Sequence, residues 1–239
     1  MGSIKGAVKV GKIKKPSVLH TLMEARVPFE IGAQILSYRF YEKNLPQGNG
    51  RPVIVIPGFG AGDFETKMLR RSLRRLGYRS VPWKMGRNMG STAKNREHLR
   101  SELDRLLAVS RQKISIVGWS LGGVFARELG RNYPEYVHSV VSMGTPFTGD
   151  HDANILHDIF HRLSGSEFTH EDLVAFNQRK EPPGVLSTSI YSKTDGVVSW
   201  RCSLERESEL TENIEVKSSH CGLVYNPLAV SALARALDR

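Results

Sequence analysis

The run Gly118-Trp119-Ser120-Leu121-Gly122 places a serine between two glycines, with an apolar stretch before it and helical spacing after it. Ile114-Ser115-Ile116-Val117 reads as a buried strand, and Leu121 to Asn132 as a helix with Val124, Phe125 and Leu129 along its apolar side. A chain that turns from strand to helix at one residue must hold that residue in a strained backbone conformation. Side chains two positions away would strike the adjoining strand and helix, so glycine is required there. The turn lifts the serine hydroxyl clear of the sheet and sets it at a helix N-terminus, whose first N–H groups have no partner within the helix. A Gly/Ser turn matching five positions by chance is the competing account, and the strand before and helix after are the context that separates the two.

Strand and helix patterns alternate along the rest of the chain. Val53-Ile54-Val55-Ile56 reads as a buried central strand, ended by Pro57-Gly58-Phe59-Gly60-Ala61-Gly62. A helix over Phe64 to Leu76 follows, with Gly77 as its C′ residue. Tyr78 to Trp83 forms a short strand, and Leu99, Leu103, Leu106 and Leu107 mark a second helix. Val137 to Ser142, Leu186 to Tyr191 and Ile214 to Val216 are further strands, and Pro227 to Leu237 is a closing helix. The alternation predicts an α/β fold with a doubly wound, mostly parallel sheet.

The 239 residues suit one large domain, read as residues 51–239, behind an N-terminal helical and loop extension over 1–50. In that extension Val18 to Ser37 has helical spacing in places, broken by Pro28. The segment 149–183 interrupts the rhythm. Its stripe of Ile155, Leu156, Ile159, Phe160 and Leu163 is expected to form a helical lid over a pocket at the carboxyl edge of the sheet, or else extra core packing.

A serine hydroxyl attacks carbon only when a base removes its proton, and the base needs a third group to orient it. Asp195 follows the strand 186–191 in Ser192-Lys193-Thr194-Asp195-Gly196, and His220 follows the strand 214–216 in Ser218-Ser219-His220-Cys221-Gly222. Both reach the same sheet edge as Ser120, in the chain order Ser, Asp, His expected of this topology. The other seven histidines do not lie on a loop directly after a late strand. Glu205, Glu207 and Glu209 rival Asp195, but read as a solvated acidic run.

An oxyanion formed on acyl transfer needs two N–H donors. Leu121 N–H, directly after the serine, is one candidate. Phe59 N–H is the other, because Pro57-Gly58-Phe59-Gly60 resembles the histidine-glycine loop of lipases. As a dinucleotide cradle the same loop has its third glycine one residue early, and no acid ends a second strand near Pro82-Trp83-Lys84. His157-Asp158-Ile159-Phe160-His161 resembles a zinc-protease helix. However, its aspartate is one methylene short for the base role and no third ligand suggests itself, so no metal is expected.

The net charge of +10 is concentrated: between Lys67 and Lys113 there are fourteen Lys/Arg and three acids, Glu97, Glu102 and Asp104. Arg70, Arg71, Arg74 and Arg75 are read as the solvated face of a helix whose Leu69, Leu73 and Leu76 are buried. Such a surface predicts at most weak attraction to anionic membranes. No nucleic-acid motif accompanies it, and none is expected as partner. The basic N-terminus lacks a following apolar h-region, and no stretch approaches the ~18 apolar residues of a membrane span. A cytoplasmic protein is the expectation. There Cys202 and Cys221 would stay reduced; paired, they would clamp the loop carrying His220.

Taken with Gly86-Arg87-Asn88, Gly144-Thr145-Pro146, Asp195-Gly196-Val197-Val198 and Ser219-His220-Cys221-Gly222-Leu223, the loop at 57–60 and the run Gly118 to Gly123 carry a family likeness. Over residues 50 to 239 the chain resembles a bacterial α/β-hydrolase of the small lipase and esterase type. The resemblance implies hydrolysis of a small-molecule ester or lipid through a seryl acyl-enzyme, with no cofactor. Ser120, Asp195 and His220 would form the triad, and Phe59 and Leu121 the oxyanion hole. An acyltransferase or thioesterase would use the same residues, and a ligand-binding protein on this scaffold would need no triad at all. Phe147 stands where many lipases have histidine.

Overall fold

The structure is a computed structural model and describes residues 13–41, 44–90, 93–148 and 179–239. The expected lid therefore lies, up to residue 178, outside the described residues, as do His157 and His161. The elements are α1 (Val18–Leu22), a 3₁₀ turn (Met23–Arg26), α2 (Val27–Tyr41), β1 (Pro52–Ile56), α3 (Lys67–Arg75), β2 (Arg79–Val81), α4 (Ala93–Ser110) and β3 (Ile114–Trp119). There follow α5 (Leu121–Asn132), β4 (Val137–Met143), β5 (Leu186–Tyr191), a 3₁₀ turn (Trp200–Ser203), β6 (Thr211–Glu215), a 3₁₀ turn (Cys221–Val224) and α6 (Pro227–Asp238).

Among the described residues the six strands form one parallel sheet in the order β2-β1-β3-β4-β5-β6. Every residue of β1 and β3 is buried, as a parallel sheet covered on both faces requires. Strand alternation divides the core in two. Val53 and Val55 pack with α3 and α6 on one face, whereas Ile54 and Ile56 pack with α4 and α5 on the other. Helix α3 buries Leu69, Leu73 and Leu76 and ends at Gly77, where φ is +84°. The N–H of Gly77 and Tyr78 close its last turn on the carbonyls of Arg74 and Leu73. Asn226 caps α6 by accepting from Leu228 N–H, with Pro227 at the first helical position.

Two charged residues depart from the sequence reading. Arg70 turns inward rather than to solvent and pairs with Asp63 at 3.1 Å, because Asp63 also accepts from the N–H groups of Trp83 and Lys84 and so stands fixed beside the helix. Glu205 is not part of a solvated acidic run. It is buried, ion-paired with Arg127 and accepts from Ser187 Oγ at 2.6 Å. The strand β5, which brings Ser187 beneath it, supplies the enclosure that local composition does not reveal.

The site is set by where the chain reverses. From β1 it moves to β2 on one side, then crosses to β3 on the other, opening a crevice between the carboxyl ends of β1 and β3. Trp119, Met143, Ile190 and Ile214 pair in one row across β3 to β6, so the segments that follow them leave the sheet at one level.

Candidate active site

Ser120 is the first residue beyond β3 and has φ +55° and ψ −124°, a region in which a residue with a Cβ is strained. The surrounding packing leaves little alternative. A Cβ on Gly118 would run into the backbone of Gly122 and Gly123. One on Gly122 would run into the carbonyl of Ile56 and come within 2.7 Å of that of Pro57. The third glycine, Gly123, gives way to the side chain of Thr145, which enters from the loop after β4.

The three side chains singled out in the sequence lie side by side. His220 Nε2 is 3.0 Å from Ser120 Oγ, and His220 Nδ1 is 2.7 Å from Asp195 Oδ2. The second carboxylate oxygen of Asp195 accepts from the N–H groups of Val197 and Val198, at 2.8 and 2.7 Å. Held this way, Asp195 favours a proton on Nδ1, which leaves Nε2 to accept from the serine hydroxyl. All three are at most 4% exposed. Burial pushes the His220 pKa down, but the charge and hydrogen bond of Asp195, with the charge of Glu24, outweigh it, and the value is raised. Such an arrangement can take a proton from the hydroxyl and return it to a leaving group.

The neighbouring loops complete the enclosure. A Cβ on Gly58 would lie 3.1 Å from Ser120 Cβ, so the loop carrying Phe59 runs directly beside the serine. Asn88 anchors that loop by donating to the Pro57 carbonyl at 2.7 Å, and Gly60 N–H donates to the Asn88 carbonyl. Leu121 is the first residue of α5. Trp119, inside the pentapeptide, donates its indole N–H to the His220 carbonyl at 3.1 Å. Gly144, at φ +57°, passes so close that a Cβ there would lie 3.1 Å from His220 Nδ1 and 3.2 Å from Asp195 Oδ2. Phe147 belongs to the core instead of the crevice: it is fully buried, with the Arg127 guanidinium 3.7 Å above its ring.

The sequence reading missed two carboxylates of the N-terminal extension. Glu24, in the 3₁₀ turn after α1, accepts from the N–H groups of Gly196, His220 and Cys221. Glu30, on α2, accepts from Ser218 Oγ, Ser219 N–H, Ser219 Oγ and Asn226 Nδ2. Their trace in the sequence is indirect. Gly196 and Gly222 flank the two loops because a Cβ on the first would run into the His20 carbonyl, and on the second into the Glu30 carboxylate. Cys202 and Cys221 are not joined in a disulfide, and among the described residues no group of three His, Cys, Asp or Glu is placed to hold a metal ion. No helix among them is long and apolar enough to cross a membrane.

Comparison with known proteins adds the wider setting. Residues 51–178 match the family described as the alpha/beta hydrolase fold. The human serine hydrolase BPHL is 26% identical over 133 residues, which is 52% of this chain and 46% of that protein. Aspergillus fumigatus lipase B superposes with a TM-score of 0.58 at 18% identity, over 83% of this chain and 54% of that one. The chain thus spans about half the length of each of these two relatives. Bacillus licheniformis lipase BlEst2 matches with a TM-score of 0.57 at 14% identity, over 81% and 94% of the two chains. Naproxen esterase from Bacillus subtilis gives 0.57 at 13% identity, over 82% and 86%. At these identities the structural likeness is one of fold.

Proposed function

The chain belongs to the α/β-hydrolase fold family, and from that premise we propose that it hydrolyses carboxylic esters of small molecules or lipids, with Ser120 as nucleophile, His220 as base and acid, and Asp195 as the group that orients the imidazole. The observation that carries this reading is the unbroken hydrogen-bonded line from Ser120 Oγ through the imidazole to Asp195, 3.0 and 2.7 Å long. The lipase and esterase structures of the same fold support the choice of ester substrate.

In the proposed reaction Ser120 Oγ bonds to the ester carbonyl carbon as its proton passes to His220 Nε2. The carbonyl oxygen takes the negative charge, and the N–H groups of Phe59 and Leu121 donate hydrogen bonds to it. Asp195 stabilises the imidazolium without taking its proton. Collapse of the adduct breaks the carbon–oxygen bond to the alcohol, and His220 delivers its proton to that oxygen. Water then gives a proton to His220 and its oxygen to the acyl carbon. Ser120 leaves with the proton returned, and the products are the acid and the alcohol.

A panel of nitrophenyl esters and a fluorophosphonate probe test this. The protein should hydrolyse at least one ester and take the label at Ser120. Ser120→Ala should abolish labelling and lower kcat by at least about three orders of magnitude. Hydrolysis that survives Ser120→Ala unchanged would refute the assignment.

A further inference from the structure

We infer that Glu24 is a positioning residue for His220: one carboxylate ties the loop of the proposed base to the loop of its acidic partner, and so fixes the imidazole against Ser120. This rests on the reading of His220 as base. Glu24 Oε1 accepts from Gly196 N–H at 2.9 Å and from His220 N–H at 2.7 Å, while Oε2 accepts from Cys221 N–H at 3.1 Å. Gly196 is the residue after Asp195. The carboxylate therefore sets the spacing of the two main chains from which the 2.7 Å contact between Asp195 and His220 hangs.

The loop needs such an anchor. It leaves β6, whose Glu212, Asn213 and Glu215 are exposed and which, among the described residues, is the edge strand and pairs with β5 alone. Other main-chain ties of this loop leave the histidine N–H unmet: Ser192 Oγ and Thr194 Oγ1 donate to the Ser218 carbonyl, Glu30 accepts from Ser218 Oγ and Ser219 N–H, and the Trp119 indole donates to the His220 carbonyl. Glu24 takes up the N–H groups of His220 and Cys221. Its own segment is clamped to the same place, because Thr21 Oγ1 donates to the Gly196 carbonyl at 2.9 Å and Arg26 donates to Thr194.

The residue type suits the task. Three converging donors are matched by a carboxylate, which accepts on both oxygens; a glutamine would turn its NH₂ toward one of them. The negative charge also favours the imidazolium that forms when the serine proton is transferred. Among the described residues the other ionisable groups around His220 are the Asp195 carboxylate in contact, the Cys221 thiol next in the chain, Glu30 beneath Ser219, and the Arg26 cation beside Glu30 and Thr194.

The test compares Glu24→Gln, which keeps shape and removes charge, with Glu24→Asp, which keeps charge and shortens reach. Glu30→Gln serves as the comparator that disturbs the same segment. His220 is titrated by the NMR signal of its imidazole proton, assigned by its loss in His220→Gln, so the readout needs no turnover. Glu24→Gln should move the His220 titration to lower pH and lower kcat about 10- to 100-fold, with KM held within about two-fold. Glu24→Asp should keep the titration near that of the wild type and recover part of kcat. It carries the test alone if Glu24→Gln does not fold: an altered titration in Glu24→Asp then counts against the idea. An unmoved His220 titration in folded Glu24→Gln overturns the proposal. So does a loss of activity that follows thermal stability alike in Glu24→Gln and Glu30→Gln. Absence of ester hydrolysis by the wild type would strike the proposed reaction and leave the titration result to judge Glu24 by itself.

Discussion

The carboxylate of Asp195 meets Nδ1 of His220 at 2.7 Å, with both side chains almost wholly withdrawn from water. This contact and the charge of Glu24 raise the imidazole pKa against the opposing pull of burial. A base must be neutral to act, so kcat/KM for ester hydrolysis should fall as pH drops through a value above that of an ordinary histidine. Stability should run the other way. A pKa raised by folding contributes stability that is fully present below the unfolded value and lost as pH rises through the folded one. Denaturant melts of the wild type and His220→Gln across neutral pH should therefore show the His220 contribution fading toward alkaline pH as activity grows. Parallel trends in the two would contradict the assigned direction.

Gly122 sits against the end of β1, where an added Cβ would meet the carbonyl oxygens of Ile56 and Pro57. Backbone at a central strand does not yield cheaply. Gly122→Ala is expected to cost about 1–3 kcal/mol of stability and to lower ester hydrolysis by displacing Ser120. Gly32, inside α2, has nothing within 4 Å of its Cβ position. Gly32→Ala should be neutral or stabilise by up to about 1 kcal/mol. Chemical denaturation of the two variants checks the contrast.

Arg127 and Glu205 form an ion pair with no exposed surface on either side chain. Arg127 also donates to the carbonyls of Arg179 and Glu181, and its burial draws the guanidinium pKa down in spite of the Glu205 charge. Removing one partner strands the other. Arg127→Met alone should cost about 3–5 kcal/mol, and Arg127→Met with Glu205→Leu appreciably less than the sum of the single changes. Additive losses in a double-mutant cycle would show that the two charges are not coupled.

Cys221 is partly exposed, yet burial and the nearby carboxylates of Glu24 and Asp195 push its thiol up to about 12. Thiolate is the reactive form. Native protein at about pH 8, near the pKa of an ordinary thiol, should react slowly with Ellman's reagent at Cys221 and at the buried Cys202. Both should react at once in denaturant without reductant. Rapid modification of the folded protein would mean that the loop holding Cys221 opens readily.

The parts of this fold legible in the sequence are those where local chemistry and tertiary packing agree. Leu121–Asn132 and Leu186–Tyr191 coincide with their sequence patterns because the same apolar residues that mark the period also face the core. The pentapeptide at 118–122 states its geometry through its glycines. Glu24 and Glu30 carry no such mark, since a carboxylate on a helical segment reads as solvated unless its distant donors are known. Glu205 reads as solvated for the same reason: its partner Arg127 lies 78 residues away. Arg70 reads as solvent-facing because helical spacing distinguishes faces but does not locate Asp63 against one of them. Buried charge is a property of pairs, and pairs distant in sequence leave no local period.

The bonds from Glu24 and Glu30 to residues 196–226 span up to 197 positions. During synthesis these two acids leave the ribosome long before the loops that donate to them exist. The β1 and β3 region, with Ser120 on its strained turn, can consolidate while the segment that embraces the histidine still waits for residues 218–226. Docking of the extension is then a late event in folding, opposed by the entropy of closing so long a loop. A nascent chain arrested near residue 190 would hold the strained turn at Ser120 and an extension that lacks its bonds to residues 196–226, and limited proteolysis of such a species should cut first between residues 17 and 41.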